Sequence, residues 1–326
     1  MVKKYLVTGG FGFIGSHLVE ALLAQGATVH VVDNLSTSPI DVEAFLKLLG
    51  RPGALTYDIE AIQDYARRTR DRYDGIYHLA SVVGPVGVLK HSGRIADMIV
   101  NDCKAVTELG LACGAKVVDI STSEVYGGGR DGYCSENDTK QIQATVTVRL
   151  EYAVGKLAAE ISLVNLSRAT PLHVGIVRPF NVAGPRQAPD GGFVLPRFIK
   201  QAIAGEPLTV YGDGSMVRAF THVRDIVSGT VLVMERGQNG YAYNIGNPAN
   251  KTTILDLAQR VIRLTNSRSV ISFVDPKVLF GPMFAEANDK YPDAALAFET
   301  LHWKPQYDID AVIRDAVDYI GSGRCA

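Results

Sequence analysis

An apolar segment, Lys4-Tyr-Leu-Val-Thr8, runs straight into Gly9-Gly-Phe-Gly-Phe-Ile-Gly15, and helical periodicity follows from Ser16 to Gln25. Few local patterns restrict a chain as tightly. Glycines at this spacing, Gly9, Gly12 and Gly15, permit a tight strand-to-helix turn, a backbone that approaches a ligand, and a helix packed closely on its sheet. Phe13 and Ile14 lie inside the same turn. The helix N-terminus then presents free N–H groups and partial positive charge, which suits a pyrophosphate. The next β-branched segment, Thr28-Val-His-Val-Val32, ends at Asp33. A carboxylate there accepts hydrogen bonds from adenosine ribose hydroxyls and repels a 2′-phosphate, so the residues predict NAD rather than NADP. A 2′-phosphate would want an arginine, and the residues that follow are Asn34-Leu-Ser-Thr37.

Strand and helix signals keep alternating. Ala54–Tyr57, Gly75–Leu79, Lys116–Ile120 and His173–Val177 read as further strands, with helical stretches near 59–70, 95–113 and 152–167. This alternation predicts an α/β fold with a doubly wound parallel Rossmann sheet. After Arg178, proline and glycine interrupt the pattern. Short strands (Leu208–Tyr211, Ala242–Ile245, Val270–Phe273) mix there with helices over 193–204, 224–236, 254–265 and 309–319. We read a dinucleotide-binding domain over 1–178 and a smaller C-terminal α+β substrate lobe over 179–326, part of which returns to the first sheet.

Composition narrows the function classes. A chain of 326 residues that is 47% hydrophobic can bury a substantial core. A net charge of −1 argues against nucleic acid as a partner. No apolar run approaches the ~18 residues of a membrane helix, so no membrane partner is expected. The N-terminus shows no signal-peptide pattern and reads as mature structure. Cys103, Cys113, Cys134 and Cys325 form no C-x-x-C pair and no zinc spacing, so they read as scattered reduced thiols of a cytoplasmic protein that holds no metal.

Several residues can carry chemistry. Asp58-Ile59 follows the third strand, where it meets an adenine edge or simply caps a helix. His78-Leu79-Ala80-Ser81 ends the fourth strand; the small residues let the backbone pass close to the cofactor, while His78 reads as a packed histidine rather than a catalyst. Ser121-Thr-Ser-Glu-Val-Tyr-Gly127 follows the fifth strand, and Glu151-Tyr-Ala-Val-Gly-Lys156 lies on the helix beyond. Tyr152 is the candidate acid–base group. A free tyrosine has a pKa near 10, and work near pH 7 requires lowering it by roughly 3, worth about 4 kcal/mol in favour of the phenolate. Lys156, one helical turn on, supplies a cation on the same face, as does an oxidised nicotinamide. Lys156 also suits the nicotinamide ribose, and Thr122 can hydrogen-bond a substrate hydroxyl and share the proton path.

Together these residues resemble the extended short-chain dehydrogenase/reductase family, in its NAD-dependent nucleotide-sugar epimerase and dehydratase group. The resemblance spans essentially the whole chain. It takes in Asn101, counted with the cofactor-binding residues, Arg178-Pro-Phe-Asn181, Gly205-Glu-Pro-Leu-Thr-Val-Tyr-Gly212, Arg218-Ala-Phe-Thr-His-Val-Arg-Asp225 and Asn244-Ile-Gly246. It implies a nucleotide-sugar substrate, most often UDP-linked. Asn181 and Arg218 are then diphosphate ligands, and Ser123, Val194 and Lys290 join the substrate-binding set. Tyr211 either stacks on the base or is simple core. The implied chemistry begins with oxidation of the sugar at C4: Tyr152 takes the hydroxyl proton and NAD takes the hydride. Return of hydride to the other face gives 4-epimerisation. Loss of a C5 carboxylate as CO₂ gives decarboxylation.

The residues divide these outcomes only partly. Dehydratases of this group carry Asp-Glu after the catalytic threonine; here the pair is Ser123-Glu124, which argues against 4,6-dehydration and leaves Glu124 as a base or a hydrogen-bonding partner. Thr122–Gly127 and Arg149-Leu-Glu-Tyr152 are similar to UDP-glucuronate decarboxylases. Against that, their tyrosine-bearing substrate loop is replaced by Val82-Val-Gly-Pro-Val-Gly-Val-Leu-Lys90, and their C-terminal Arg-Lys-Pro-Asp reads Lys290-Tyr-Pro-Asp293. The expectation is a UDP-sugar 4-epimerase, with UDP-glucuronate decarboxylase as the alternative. A non-catalytic NAD-binding regulator on the same fold is a third reading, which intact Thr122, Tyr152 and Lys156 oppose. The resemblance also implies a homodimer through the helices near 95–113 and 152–167.

Overall fold

The computed structural model describes residues 2–127, 133–281 and 289–322. Seven strands form the central sheet: β1 (Lys4–Thr8), β2 (Thr28–Asp33), β3 (Leu55–Ile59), β4 (Gly75–His78), β5 (Lys116–Ile120), β6 (Val174–Pro179) and β7 (Tyr241–Ile245). Their order across the sheet is β7-β6-β5-β4-β1-β2-β3, and every pairing is parallel. The Val- and Ile-rich central strands are buried on both faces, as a sheet covered by helices on each side demands. The order reverses between β1 and β4, so a crevice opens at the carboxyl ends of those two strands. Gly9, His78 and Thr122 all lie at that end of the sheet.

Helices Phe13–Ala24 and Val223–Arg236 pack on one another. Helices Ile95–Cys113 and Val148–Ala169 likewise pack together, and Ile99, Cys103 and Val106 share a buried cluster with Tyr152 and Leu163. The second of these helices begins a turn before the periodicity suggested, because the Thr147 side chain accepts from Leu150 N (3.2 Å) and caps it. The expected helix near 59–70 is shortened to Ile62–Arg68, since β3 runs on to Ile59.

The chain after Arg178 serves two regions. Strand β7 and helix Val223–Arg236 belong to the first sheet. Trp303 is buried beside that helix, donating to Asp225 O and Ser228 Oγ, each at 3.0 Å. The remainder forms a second core in which Leu195, Phe198, Leu208, Leu257, Val261 and Ile313 meet. Short pairs frame it: Leu208–Tyr211 with Ile271–Val274 in parallel, and Val217–Ala219 with Lys251–Thr253 antiparallel. Another parallel pair, Tyr133–Cys134 with Tyr291–Pro292, fixes the segment that carries Lys290. Among the described residues no helix is long and apolar enough to cross a membrane. Cys103 and Cys113 are free thiols, and Cys134 is buried; Cys325 lies outside the described residues.

Candidate active site

A cavity of about 670 Å³ runs along the carboxyl ends of the strands. One end holds the glycine turn. Gly9 has φ +69°, and a Cβ on Gly9 would meet the Ala80 backbone nitrogen at 2.8 Å. A Cβ on Gly15 would come within 2.0 Å of Gly9 O. The turn is closed by Gly12 N donating to Gly9 O at 3.0 Å. Gly15→Ala should therefore force the turn open. We expect NAD affinity to fall by more than about tenfold, with a stability loss of about 1–3 kcal/mol; a NAD titration with wild-type affinity would refute this.

Asp33 is tied into that turn. Its carboxylate accepts from Phe11 N (2.9 Å) and Leu35 N (2.8 Å). Burial raises the carboxyl's pKa, and the two backbone hydrogen bonds oppose the rise. Asn34, Phe13, Ile14 and Gly12 line the same end of the cavity. The fourth-strand exit follows, with Leu79, Ala80 and Ser81 in the wall. Ser81 Oγ is buried without a hydrogen-bond partner among the described residues. An orphaned hydroxyl on the cavity wall and a glycine cradle with no room for a methyl both fit a bound dinucleotide. His78 is packed, as expected: it hydrogen-bonds Thr8 Oγ1 at 2.7 Å, and burial, aided by Lys156, pulls its pKa down to about 3.

Three expected cofactor ligands lie elsewhere. Asp58 is held by His30 Nε2 (3.1 Å) and Arg68 Nη2 (2.9 Å), Ile59 is exposed, and Glu60, Ala61 and Ile62 form the wall instead. Asn101 donates to Asp97 Oδ1 (2.8 Å) on the exposed face of its helix. Met98 and Asp102 face the cavity in its place. A helix turns about 100° per residue, so a shift of one position changes the face.

Past the turn the cavity is lined by Thr122, Tyr152 and Lys156. Thr122 hydrogen-bonds the Tyr152 phenol. Lys156 Nζ donates to Ile120 O at 2.7 Å. Burial pushes the Tyr152 pKa well above its ordinary value, the Thr122 bond pulls it down, and Glu124 and Asp119 push it further up. The lysine is anchored to β5, and its charge acts on His78, Asp102, Cys103 and Asp119. Asp119, buried behind it, has a pKa raised by burial to about 6.

Glu124 is the centre of a charged cluster that the sequence did not announce. Lys290 Nζ donates to it at 2.6 Å, and Arg149 Nη1 reaches both its oxygens at 3.1 and 3.2 Å. Burial opposes ionisation, but Lys290 and Arg149 outweigh it and hold the carboxyl at about 2. Burial pulls Lys290 down, and Glu124 offsets part of that fall. Because the folded value of Glu124 lies below its ordinary 4.5, its contribution to stability is present above pH 4.5 and is lost as pH falls toward 2. Wild type and Glu124→Gln should thus differ in urea midpoint at pH 7, with the gap narrowing below pH 4.5 and closing only near pH 2; a gap independent of pH would contradict the ion cluster.

The far end of the cavity comes from the second core. Arg218 is buried and bridged in register to Lys290. Asn181 sits at φ +39° and donates to Ala219 O at 3.3 Å. Ser123 and Val194 also line the cavity. Tyr211 lines it too and carries the Arg197 guanidinium 4.0 Å from its ring centroid, so one ring face is occupied by a cation. Arg197 and Arg149 are site residues that sequence reasoning did not assign; each stands one turn or less from an assigned residue, Val194 or Tyr152, and that spacing was the available signal.

A parallel sheet with a dinucleotide turn, joined through one cavity to a Tyr-x-x-x-Lys pair and a cationic second lobe, defines an NAD-dependent enzyme. The family model described as "NAD dependent epimerase/dehydratase family" matches residues 5–246. The chain belongs to that family. Over 321 residues it is 33% identical to UDP-N-acetyl-alpha-D-glucosaminuronate decarboxylase of Bacillus cytotoxicus, covering 98% of each chain. It is 34% identical over 309 residues to UDP-glucuronic acid decarboxylase 1 of Arabidopsis thaliana, covering 94% of this chain and 67% of that one. Among solved structures, UDP-glucose 4-epimerase of Thermotoga maritima superposes with a TM-score of 0.87 at 27% identity, covering 98% and 99% of the two chains. UDP-glucuronic acid 4-epimerase of Bacillus cereus superposes with 0.84 at 28%, with the same coverage.

Proposed function

We propose that the protein is an NAD-dependent decarboxylase of a UDP-linked uronic acid. The observation that carries this reading is the Glu124 cluster. A carboxylate held at about pKa 2 is a weak base and is not a proton donor at neutral pH. Chemistry that needs an acid and a base around C5 is poorly served. Decarboxylation needs no base at C5, and the proton that C5 later takes up can come from water. The C5–C6 electrons flow toward the C4 ketone, CO₂ leaves, and C5 takes up a proton. Arg149, Lys290 and Glu124 together carry one net positive charge, which suits a sugar carboxylate. The likeness to two curated decarboxylases supports the same choice.

Residue roles follow. Thr122 and Tyr152 hold the C4 oxygen, Tyr152 takes its proton on oxidation and returns it on reduction, and both hydroxyls steady negative charge on that oxygen as CO₂ leaves. Bound NAD supplies the reversible hydride acceptor and, when oxidised, a positive charge beside the phenol. Gly9–Gly15 and Asp33 would hold its adenosine and pyrophosphate, and Lys156 its nicotinamide ribose. Asn181 and Arg218 would hold the substrate diphosphate.

This reverses the order in which the sequence placed the two reactions. Lys290 departs from the arginine of the resembling enzymes, yet it reaches Glu124 all the same. The second reading, 4-epimerisation, is favoured by the likeness to the two epimerase structures. Incubation of holoenzyme with UDP-glucuronate and with UDP-N-acetylglucosaminuronate separates them. CO₂ release and a pentose product support decarboxylation. A product of unchanged mass with inverted C4 would replace it with epimerisation.

The two-fold dimer remains part of the proposal. Val100, Leu111, Val154 and Ile161 are exposed apolar residues on the two helices that would form it. Light scattering at micromolar concentration should give twice the chain mass, and a monomer would remove this element.

A further inference from the structure

The cavity has two unlike walls. Charges and hydroxyls from Thr122, Arg149, Arg218 and Lys290 form one side. The segment Val82–Leu89 forms another, and no residue in it has a polar side chain. Its second half begins the short helix Pro85–Lys90, which packs on the Tyr152 helix and on the turn Pro189–Gly191. That packing places it beside the reacting end of the cavity. A Cβ on Gly84 would lie 2.8 Å from the Phe193 ring, and one on Gly192 would lie 3.1 Å from Pro85 and 3.3 Å from Val86. The segment is therefore pressed onto 191–193, and the two make one apolar surface. Val83 and Val86 remain 45% and 43% exposed in this wall.

Such a surface is a poor match for a plain uronic acid. A ring hydroxyl turned toward valine and proline gives up its water and gains no partner. The tyrosine that resembling decarboxylases carry in this loop, whose phenol can partner a hydroxyl, is absent. An acyl methyl has the opposite preference, since burying it removes apolar area from water. We propose that the wall made by Val82–Leu89 and Phe193 selects nucleotide uronic acids bearing an acylamino group over those bearing only hydroxyls. This rests on the uronic-acid reading above and adds the substrate subclass to it.

The test is binding, kept separate from turnover. The Tyr152→Phe holoenzyme with NAD is titrated calorimetrically with UDP-N-acetylglucosaminuronate and with UDP-glucuronate. The acylated ligand should bind at least about tenfold more tightly. Equal affinities, or tighter glucuronate binding, would overturn the proposal whether or not wild type releases CO₂; release of CO₂ reports on the reaction alone. Val86→Asn and Val83→Ser, at exposed positions that tolerate substitution, each place a hydrogen-bonding group on the wall. Either should shrink the preference by about threefold or more, and an unchanged ratio in both would also overturn it.

Discussion

Tyr152→Phe should lower kcat on the uronic acid by about 10²–10⁴-fold. NAD affinity should stay close to wild type and KM should rise only modestly, because Thr122 still holds the C4 oxygen while the proton path is lost. The substitution removes only one oxygen from a buried ring, so the fold should hold. The pH profile sharpens the expectation. Burial, Glu124 and Asp119 disfavour the phenolate, and the Thr122 hydrogen bond favours it. The cation of a bound oxidised nicotinamide would favour it further. In wild type, kcat for sugar oxidation should rise with pH until the phenol is ionised in the ternary complex. That limb should vanish in the phenylalanine variant. Retention of more than about a tenth of wild-type turnover would remove Tyr152 from the proton path.

The second large effect concerns stability. Glu160 receives Arg178 through two bonds, Nε to Oε1 at 2.9 Å and Nη2 to Oε2 at 2.6 Å. Arg178 Nη1 donates to Tyr126 OH at 2.9 Å, and that hydroxyl donates to Asn244 Oδ1 at 2.7 Å. Ser121 Oγ donates to the same Glu160 carboxylate. All these groups are buried, and they join β5, β6 and β7 behind Thr122. Glu160→Leu strands the guanidinium without a counter-charge and should cost about 3–5 kcal/mol in urea unfolding. The double variant Glu160→Leu/Arg178→Met should recover much of that loss, since neither charge then lies buried alone. A single-variant cost below about 1 kcal/mol would mean that water or another anion reaches Arg178.

What could be read beforehand follows from distance along the chain. The helix Ile95–Cys113 and the strands Lys4–Thr8, Lys116–Ile120 and Leu208–Tyr211 have the bounds that periodicity indicated, because local patterning decides them. The glycine turn and Tyr152/Lys156 were legible for the same reason. Short helices such as Val42–Leu48 and Pro85–Lys90 carried too few turns to show a period. Asn101 and Asp58 do not line the cavity, because a residue's face depends on packing partners that no spacing names. The Glu124 cluster joins positions 25 and 166 residues apart, and its partners meet only through tertiary structure. A strand over Ala242–Ile245 and the return of part of this region to the first sheet were readable, but its pairing with β6 was not.

That last pairing has a consequence for biogenesis. During synthesis, β6 emerges and must wait for the whole stretch up to Tyr241 before its outer neighbour exists. Until then the nascent sheet presents β6 as an unsatisfied ladder of backbone donors and acceptors, a template for misassociation. Lys290 arrives later still. The glycine turn can therefore form early on the ribosome, while the full seven-strand order and a complete charged site are both late acquisitions.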